Sequence, residues 1–453
     1  MSTQPYDERM YAFGDAPGHY WARTAGDDAA AGSRPLDQDF ETDVAIIGGG
    51  YTGLSAAHQL ASVHGVRAAV LEAGTCPGWG ASGRNGGFVA AGGNKLSIGD
   101  MIRRVGREET AQYFRSQAEA VTSLQSLIGD SRIDCDVVSD ENVCVAHSPH
   151  AARELELEAR VLVDEFGAEA AYVSGDAFRA RYHEGPETFG ALVTKPAFAI
   201  HPTKLARGLS RLAARAGADV FHGAEVVTWR RDGRGHVLGT RRGVTIRARR
   251  AILATNGYMP NALDPRLGYR TVPAISSIIV TQPYDRDDLA RRGYRTMSPI
   301  YTARHLLAYY RLLPDGRFLF GCRGDTTGSE AAADRHAAVT LSELKRTQPA
   351  FHDARIDDYW SGFVSLTARR TLAIGHVPDD PSTVFAFGCH GSGIAAMTWS
   401  GRLAADIVQD PGAIGVVPAL FRGLPPRLPP FAPLLRWGLR SAYAYYRLND
   451  GVG

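Results

Sequence analysis

The chain carries almost no net charge: 50 Lys plus Arg oppose 48 Asp plus Glu, a formal +2 over 453 residues. Such a balance excludes a function driven by bulk electrostatics, so no nucleic-acid partner is expected. Lysine is scarce. Lys95, Lys195, Lys204 and Lys345 are all there are, so arginine supplies nearly all the positive charge and few amines are on hand for Schiff-base chemistry. The five cysteines (Cys76, Cys135, Cys144, Cys322, Cys389) are odd in number, scattered and without a Cys-x-x-Cys pair; neither a disulfide framework nor a metal site is supported. The first 40 residues are acidic and polar rather than a basic-then-apolar leader, and no apolar run of about 18 residues occurs. The expectation is a soluble cytoplasmic protein without a transmembrane segment.

What the chain does have is glycine, 50 residues of it, well above the roughly 7% of average usage. Hydrophobic residues make up 44%, enough to build real cores. The glycines cluster, and the first cluster is sharp. Val44-Ala45-Ile46-Ile47 reads as a buried strand, Gly48 to Gly53 as a turn, Leu54 to Val63 as a helix, and Val66 to Leu71 as a second strand ending in Glu72. Gly48, Gly50 and Gly53 satisfy Gly-x-Gly-x-x-Gly inside a βαβ unit, with an acid nineteen residues after the last glycine. Gly48 permits the tight turn, Gly50 lets a pyrophosphate approach, Gly53 lets helix and strand pack, and the helix start offers amides to phosphate. Glu72 suits a ribose hydroxyl and would repel a 2′-phosphate, which leaves FAD or NAD.

A second glycine-rich loop, Gly78 to Gly87, follows at once where a plain NAD domain would enter its next helix. Its Arg84 and Asn85 supply donors that a mere linker does not need. Helical spacing spans Ser97 to Ile128, Cys135 to Ala146 reads as strand, and Ala151 to Phe166 is an amphipathic helix with Leu155, Leu157, Val161, Leu162 and Phe166 among its apolar positions. Further strands are expected at Ala274 to Thr281, His305 to Leu312 and Arg317 to Phe320, the last two split by a Pro314-Asp315-Gly316 hairpin signal. A helix from about Ala331 to Thr347 follows, and Val384 to Phe387 runs into Gly388 to Gly393 and a helix from Ile394 to Val408. The tail holds Pro425, Pro426, Pro429, Pro430 and Pro433, then Leu434, Leu435, Trp437, Leu439, Tyr443, Tyr445 and Tyr446 with Arg436, Arg440 and Arg447. It reads as an amphipathic helix for the protein's own body or a partner subunit, with a membrane surface as the alternative.

Together these residues resemble the glycine/D-amino-acid oxidase-like family of FAD-dependent amine oxidoreductases, and within it the γ-glutamylputrescine oxidoreductase branch. That branch's hallmark Trp-Gly-Ala-Ser-Gly-Arg-Asn-Gly-Gly stands here as Trp79 to Gly87. Tyr20-Trp21, Ile200 to Leu205, Ala254 to Tyr258 and Gly388 to Gly393 match in the same order, and the likeness runs from about Asp43 to Val408. The resemblance implies an α/β fold: a discontinuous Rossmann-like FAD-binding domain (41–96, 196–262, 362–410) and an interleaved α+β substrate domain on a mixed sheet (97–195, 263–361). An N-terminal extension (1–40) and the tail (411–453) flank them.

It implies that Gly48, Gly50, Tyr51, Thr52 and Gly53 hold the pyrophosphate, Glu72 and Ala73 the ribose, and Val226 the adenine edge. Gly80, Ala81, Ser82, Arg84, Asn85, Gly86, Gly87 and Asn256 would serve the flavin, with Gly391, Ser392, Gly393 and Ile394 at its pyrimidine end. A helix N-terminus there would stabilise the negative charge of reduced flavin. Some relatives attach FAD through a cysteine in the segment before the last strand; Ser361 to Arg370 has none, so FAD is expected noncovalent, with Cys322 and Cys389 as packed small hydrophobes. Others place a lysine over the flavin to promote reaction with oxygen; Arg270 to Pro283 has none, so a quinone or protein acceptor stands beside oxygen.

The implied reaction dehydrogenates the C–N bond of an amine or amino acid, γ-glutamylputrescine-like or a secondary amine, by hydride transfer to flavin N5 and hydrolysis of the imine. Hydroxy-acid dehydrogenation, monooxygenation and a non-catalytic flavoprotein subunit are the alternatives. His201, Tyr258, Tyr309 and Arg311 are the candidate catalytic residues, since aromatic walls suit an amine and an arginine suits a carboxylate. Tyr301, Tyr310, Arg323 and His390 come after them.

Overall fold

The computed structural model describes residues 4–429 and 432–450. The βαβ unit forms where its pattern lies: strand Phe40–Ile47, helix Tyr51–Ser62 and strand Ala68–Leu71, the two strands parallel. Val44 to Ile47 and all of Ala68–Leu71 are buried, as expected for parallel strands covered on both faces. Asp219–His222 extends the sheet beyond Ala68–Leu71, while Thr245–Leu253 lies parallel on the other side of Phe40–Ile47 and pairs in turn with Asp380–Phe387. Phe40–Ile47 is therefore the point from which the sheet is wound both ways, and a crevice opens beyond its carboxyl end, at Gly48. Val226–Asp232, Gly235–Thr240, Ala373–Val377 and the short Arg34–Pro35 bring this sheet to nine strands.

The second sheet has eight strands in the order Ile356–Leu366, Val272–Thr281, Phe318–Arg323, Tyr309–Leu312, Ile300–Thr302, Asn142–Val145, Gly190–Lys195, Glu169–Ser174. It is antiparallel except where Ile300–Thr302 runs beside Asn142–Val145, so it is mixed. Pro314-Asp315-Gly316 makes its hairpin: Leu313 N–H donates to Arg317 O at 2.8 Å and Gly316 takes φ +84°.

Several boundaries differ from the sequence reading. Of Cys135 to Ala146 only Asn142–Val145 is strand, because Asp136 and Ser139 take φ of +52° and +63° and turn the chain before it. Of His305 to Leu312 only Tyr309–Leu312 is strand; the His305 and Leu306 amides are held by the Asp450 carboxylate instead. Helix Ile98–Asp130, expected in the substrate domain, buries Met101, Tyr113, Val121 and Leu124 in the core of the nucleotide-side sheet. Ile356–Leu366 belongs wholly to the second sheet and so crosses the expected boundary at 362. In helix Pro149–Phe166, Leu157 faces solvent, and the buried face runs through Ala151, Leu155, Ala159 and Leu162.

The N-terminal segment is part of the body: Tyr20 and Trp21 are buried against Val280, Leu319 and Trp360. The tail forms helix Ala432–Asn449, which docks on the same chain. Leu439 packs on the cluster of Tyr6, Met10, Ile275 and Phe363, Arg440 donates to Thr326, and Tyr446 stacks on His305 at 5.1 Å. Leu434, Trp437 and Tyr445 stay exposed. Pro430 lies outside the described residues, as do the side chains of Pro433, Leu435 and Arg447. No helix among the described residues is long and apolar enough to cross a membrane.

Candidate active site

A cavity of about 740 Å³ runs between the two sheets. Its first end is made of backbone. Gly48 sits at φ +109°, and a Cβ there would stand 2.8 Å from the Ala254 carbonyl oxygen; a Cβ on Gly53 would fall 1.9 Å from that of Gly48. Only glycine allows the turn and the helix to close this tightly. Glu72 is buried; its Oε2 accepts from Gly49 N–H and its Oε1 from Gly74 N–H, both at 2.7 Å. Burial raises the Glu72 pKa while these amides pull it down.

The second glycine loop folds as a helical turn, Ala81–Arg84, tied to the first. Ser82 Oγ accepts from Tyr51 N–H at 3.0 Å, and Asn85 Nδ2 donates to Ala81 O and Ser82 O while its Oδ1 accepts from Gly87 N–H. Arg84 donates to Trp79 O and lies 4.3 Å from the Trp79 ring. Arg84 and Asn85 thus shape the loop that a ligand would touch. At the far side Gly393 is the N-cap of helix Ile394–Gln409 and, like Gly50 before Tyr51–Ser62, brings no side chain to the free amides. Two helix starts with glycine N-caps, a row of glycine backbones and a buried acid beside the second strand form a cradle whose amides and carboxylate fit a dinucleotide such as FAD.

The other end is made of side chains. Tyr309 stands where Gly86 and Gly321 leave room for its ring, edge-on to Phe88, its hydroxyl 3.0 Å from Ser276 Oγ. Tyr258 packs among Phe13, Trp79 and Phe363. Lys95 and Arg323 both line the cavity, and among the described residues neither head group has an acidic partner. Enclosure by protein, then the Arg323 charge, lower the Lys95 pKa to about 8. Phe114, Glu158, Phe166 and Tyr301 complete this wall.

Of the residues read from the sequence, Gly48, Gly50, Tyr51, Thr52, Glu72, Ala73, Gly80, Ala81, Ser82, Arg84, Asn85, Gly86, Val226, Asn256, Tyr258, Tyr309, Gly391, Ser392, Gly393 and Ile394 all line this cavity. Gly53 and Gly87 stand behind its wall, Gly87 at φ +80° against Ile200 O and the Arg311 guanidinium.

Two candidates are not brought there. His201 caps helix Pro202–Arg215, its Nδ1 accepting from Lys204 N–H at 3.2 Å with Nε2 3.0 Å from Thr24 Oγ1, and burial lowers its pKa to about 3. Arg311 is buried under Gly87, donates to Ile200 O at 2.5 Å and lies over the Trp21 ring; burial lowers its pKa to about 10. Both line a separate pocket of about 190 Å³, so they support the loop rather than face a substrate. Tyr310 is core, hydrogen-bonded to His183, and the buried His390 accepts from Thr367 N–H.

Sequence reasoning passed over Lys95 and Glu158. Lys95 closes the run Ala91-Gly92-Gly93-Asn94, an extension of the second glycine loop beyond the stretch that carried the resemblance. Glu158 belongs to the alternation Glu154, Glu156, Glu158 and carried no motif to single it out.

The DAO family, described as FAD dependent oxidoreductase, matches residues 43–407. Gamma-glutamylputrescine oxidoreductase of Escherichia coli (strain K12) is 30% identical over 92% of this chain and 95% of that protein. The probable oxidoreductase OrdL of Haemophilus influenzae is 28% identical over 83% of this chain and 84% of its own length. Among solved structures, glycine oxidase from Geobacillus kaustophilus superposes with a TM-score of 0.68 at 22% identity, covering 82% of this chain and 95% of that one. The glycine cradle and these likenesses agree, and the chain belongs to the DAO family of FAD-dependent oxidoreductases.

Proposed function

We propose that the protein dehydrogenates the C–N bond of a small amine that also bears a carboxylate, an amino acid or an N-substituted one of γ-glutamylputrescine type, with noncovalently held FAD. The observation that carries this reading is the Lys95 and Arg323 pair: two cations without an acidic counter-ion, facing a cavity with aromatic walls, in a chain related to an amine oxidoreductase. Two cations that face the cavity without a counter-ion form a site for a carboxylate.

FAD, when bound, supplies the two-electron acceptor for the carbon beside nitrogen. The chain's own residues orient the amine and settle its protonation. An amine arriving as ammonium beside Lys95 and Arg323 meets like charge, which lowers its pKa and favours the neutral form that can be dehydrogenated. Tyr258, Tyr309, Phe88 and Phe363 keep water away from the reacting carbon. The tyrosine hydroxyls stay protonated, since burial raises the pKa of both Tyr258 and Tyr309. Ser361 to Leu366 brings no cysteine to the cavity, and the buried Cys389 thiol accepts from Asn256 Nδ2 at 3.5 Å, which supports noncovalent attachment.

The test is an anaerobic visible titration of the holoenzyme with amines, amino acids and hydroxy acids, followed by air or a soluble quinone. Bleaching by amines with a carboxylate is the expected result. Bleaching by hydroxy acids alone overturns it. The faster of the two reoxidants assigns oxidase or dehydrogenase.

A further inference from the structure

Glu158 is a carboxylate without a counter-ion. It stands one helical turn after the buried Leu155 and one before the buried Leu162 in helix Pro149–Phe166, is itself exposed, and lines the cavity with Leu162 and Phe166. Among the described residues no hydrogen bond or ion pair engages it. Its surroundings act through the nearby protein walls and the like charge of Glu154, and both raise its pKa. The cations on the same wall are already taken, Arg115 by Glu108 at 2.8 Å and Lys195 by Asp140 at 2.5 Å. A carboxylate open to the cavity, with no cation of the protein's own beside it, is free to pair with a cationic ligand.

The neighbouring surface suits such a ligand. Phe114 and Phe166, ring centroids 4.8 Å apart, line the cavity with Tyr301, whose own titration feels the Glu158 charge. Aromatic faces beside a carboxylate favour an ammonium or guanidinium group. Lys95 and Arg323 come from the end of the glycine loop and from strand Phe318–Arg323, Glu158 from helix Pro149–Phe166. The chamber thus offers cationic and anionic groups on different elements of its wall.

Resting on the function proposed above, we infer that Glu158 is a specificity-determining residue that receives a second, cationic nitrogen of the substrate. The preferred class is then an amino acid whose side chain or N-substituent ends in an ammonium or guanidinium group, its carboxylate at Lys95 and Arg323 and its distal cation at Glu158.

The experiment is anaerobic calorimetric titration of the FAD-loaded protein with a graded series of ω-ammonium amino acids, each against its ω-methyl isostere. Wild type is expected to prefer the cation by about tenfold or more at one chain length. Glu158→Gln should bring that ratio to near parity. Glu158→Asp should keep a preference and move it to a longer ligand, a shift that loss of packing would not produce. No preference at any length, or a preference that survives in Glu158→Gln, overturns the inference. Flavin bleaching in the same titrations reads the function separately: a cation preference without bleaching leaves this subsite standing and removes amine oxidation.

Discussion

The two ends of the cavity are built on opposite plans. At the nucleotide end the wall is main chain: Gly48, Gly50 and Gly53 leave no space for a Cβ, and the charges on offer are partial ones from amides and helix starts. At the substrate end the wall is side chain: Tyr309, Phe114, Lys95, Arg323 and Glu158 come from stretches far apart in sequence, and the last three carry full charges. Backbone cannot be replaced by mutation, only crowded, so the first end is intolerant and general. Side chains can be exchanged one at a time, so the second end can change its ligand while the first keeps the cofactor.

The largest effect should come from crowding the first end. Gly53→Ala places a methyl 1.9 Å from the Gly48 carbonyl oxygen; the purified variant is expected to be colourless, read as the ratio of flavin to protein absorbance. A yellow Gly53→Ala protein would show that this cradle bends and would erase the contrast.

Acid should loosen the supports of both ends. Burial lowers His19, His201 and His390 to about 3 from an ordinary 6.5. The unfolded chain therefore takes up protons below pH 6.5 that the folded one refuses until about pH 3, and stability is lost across that window as pH falls. At pH 5 the cost is on the order of 1–2 kcal/mol for each such histidine, measurable as a falling Tm. His201→Asn, which can still cap its helix through a side-chain oxygen, should flatten part of the slope.

A smaller and more selective effect belongs to the second end. Lys95→Met should weaken a carboxylate ligand about tenfold to a hundredfold, read by spectral titration, with the flavin still bound. Because the Lys95 pKa is lowered to about 8, wild-type affinity for a carboxylate without an amine should fall as pH rises through that value, and the variant should lack this limb. The smallest effect is expected at the tail. Asp450→Ala removes the acceptor for the His305 and Leu306 amides, a change on the order of 1 kcal/mol that should appear as faster hydrogen exchange in Ala432–Asn449.

The same contrast governs what could be read from the chain alone. The nucleotide end follows local rules, in which turn glycines, strand runs and helix starts lie within about one βαβ unit, so Gly48 to Glu72 and Ala81 to Asn85 were legible. The substrate end is assembled by tertiary folding. His201 and Arg311 carry the right chemistry yet point into a different pocket, and nothing in their neighbours announces that. Glu158 and Tyr301 are far apart in sequence and reach one wall only because Ile300–Thr302 pairs with Asn142–Val145, the strand that precedes the Glu158 helix. Lys95 was visible as one of a scarce type but had no motif to place it.

The discontinuity of the first sheet also bears on how the protein is made. Phe40–Ile47 emerges early from a ribosome, but its neighbour Thr245–Leu253 and the next strand, Asp380–Phe387, come much later, and Ile394 later still. The wall of the crevice that Gly391 to Ile394 supply does not exist until those later residues have been synthesised. Until then the crevice at Gly48 lacks that side, and a cofactor that touches both walls can be enclosed only after both have been made.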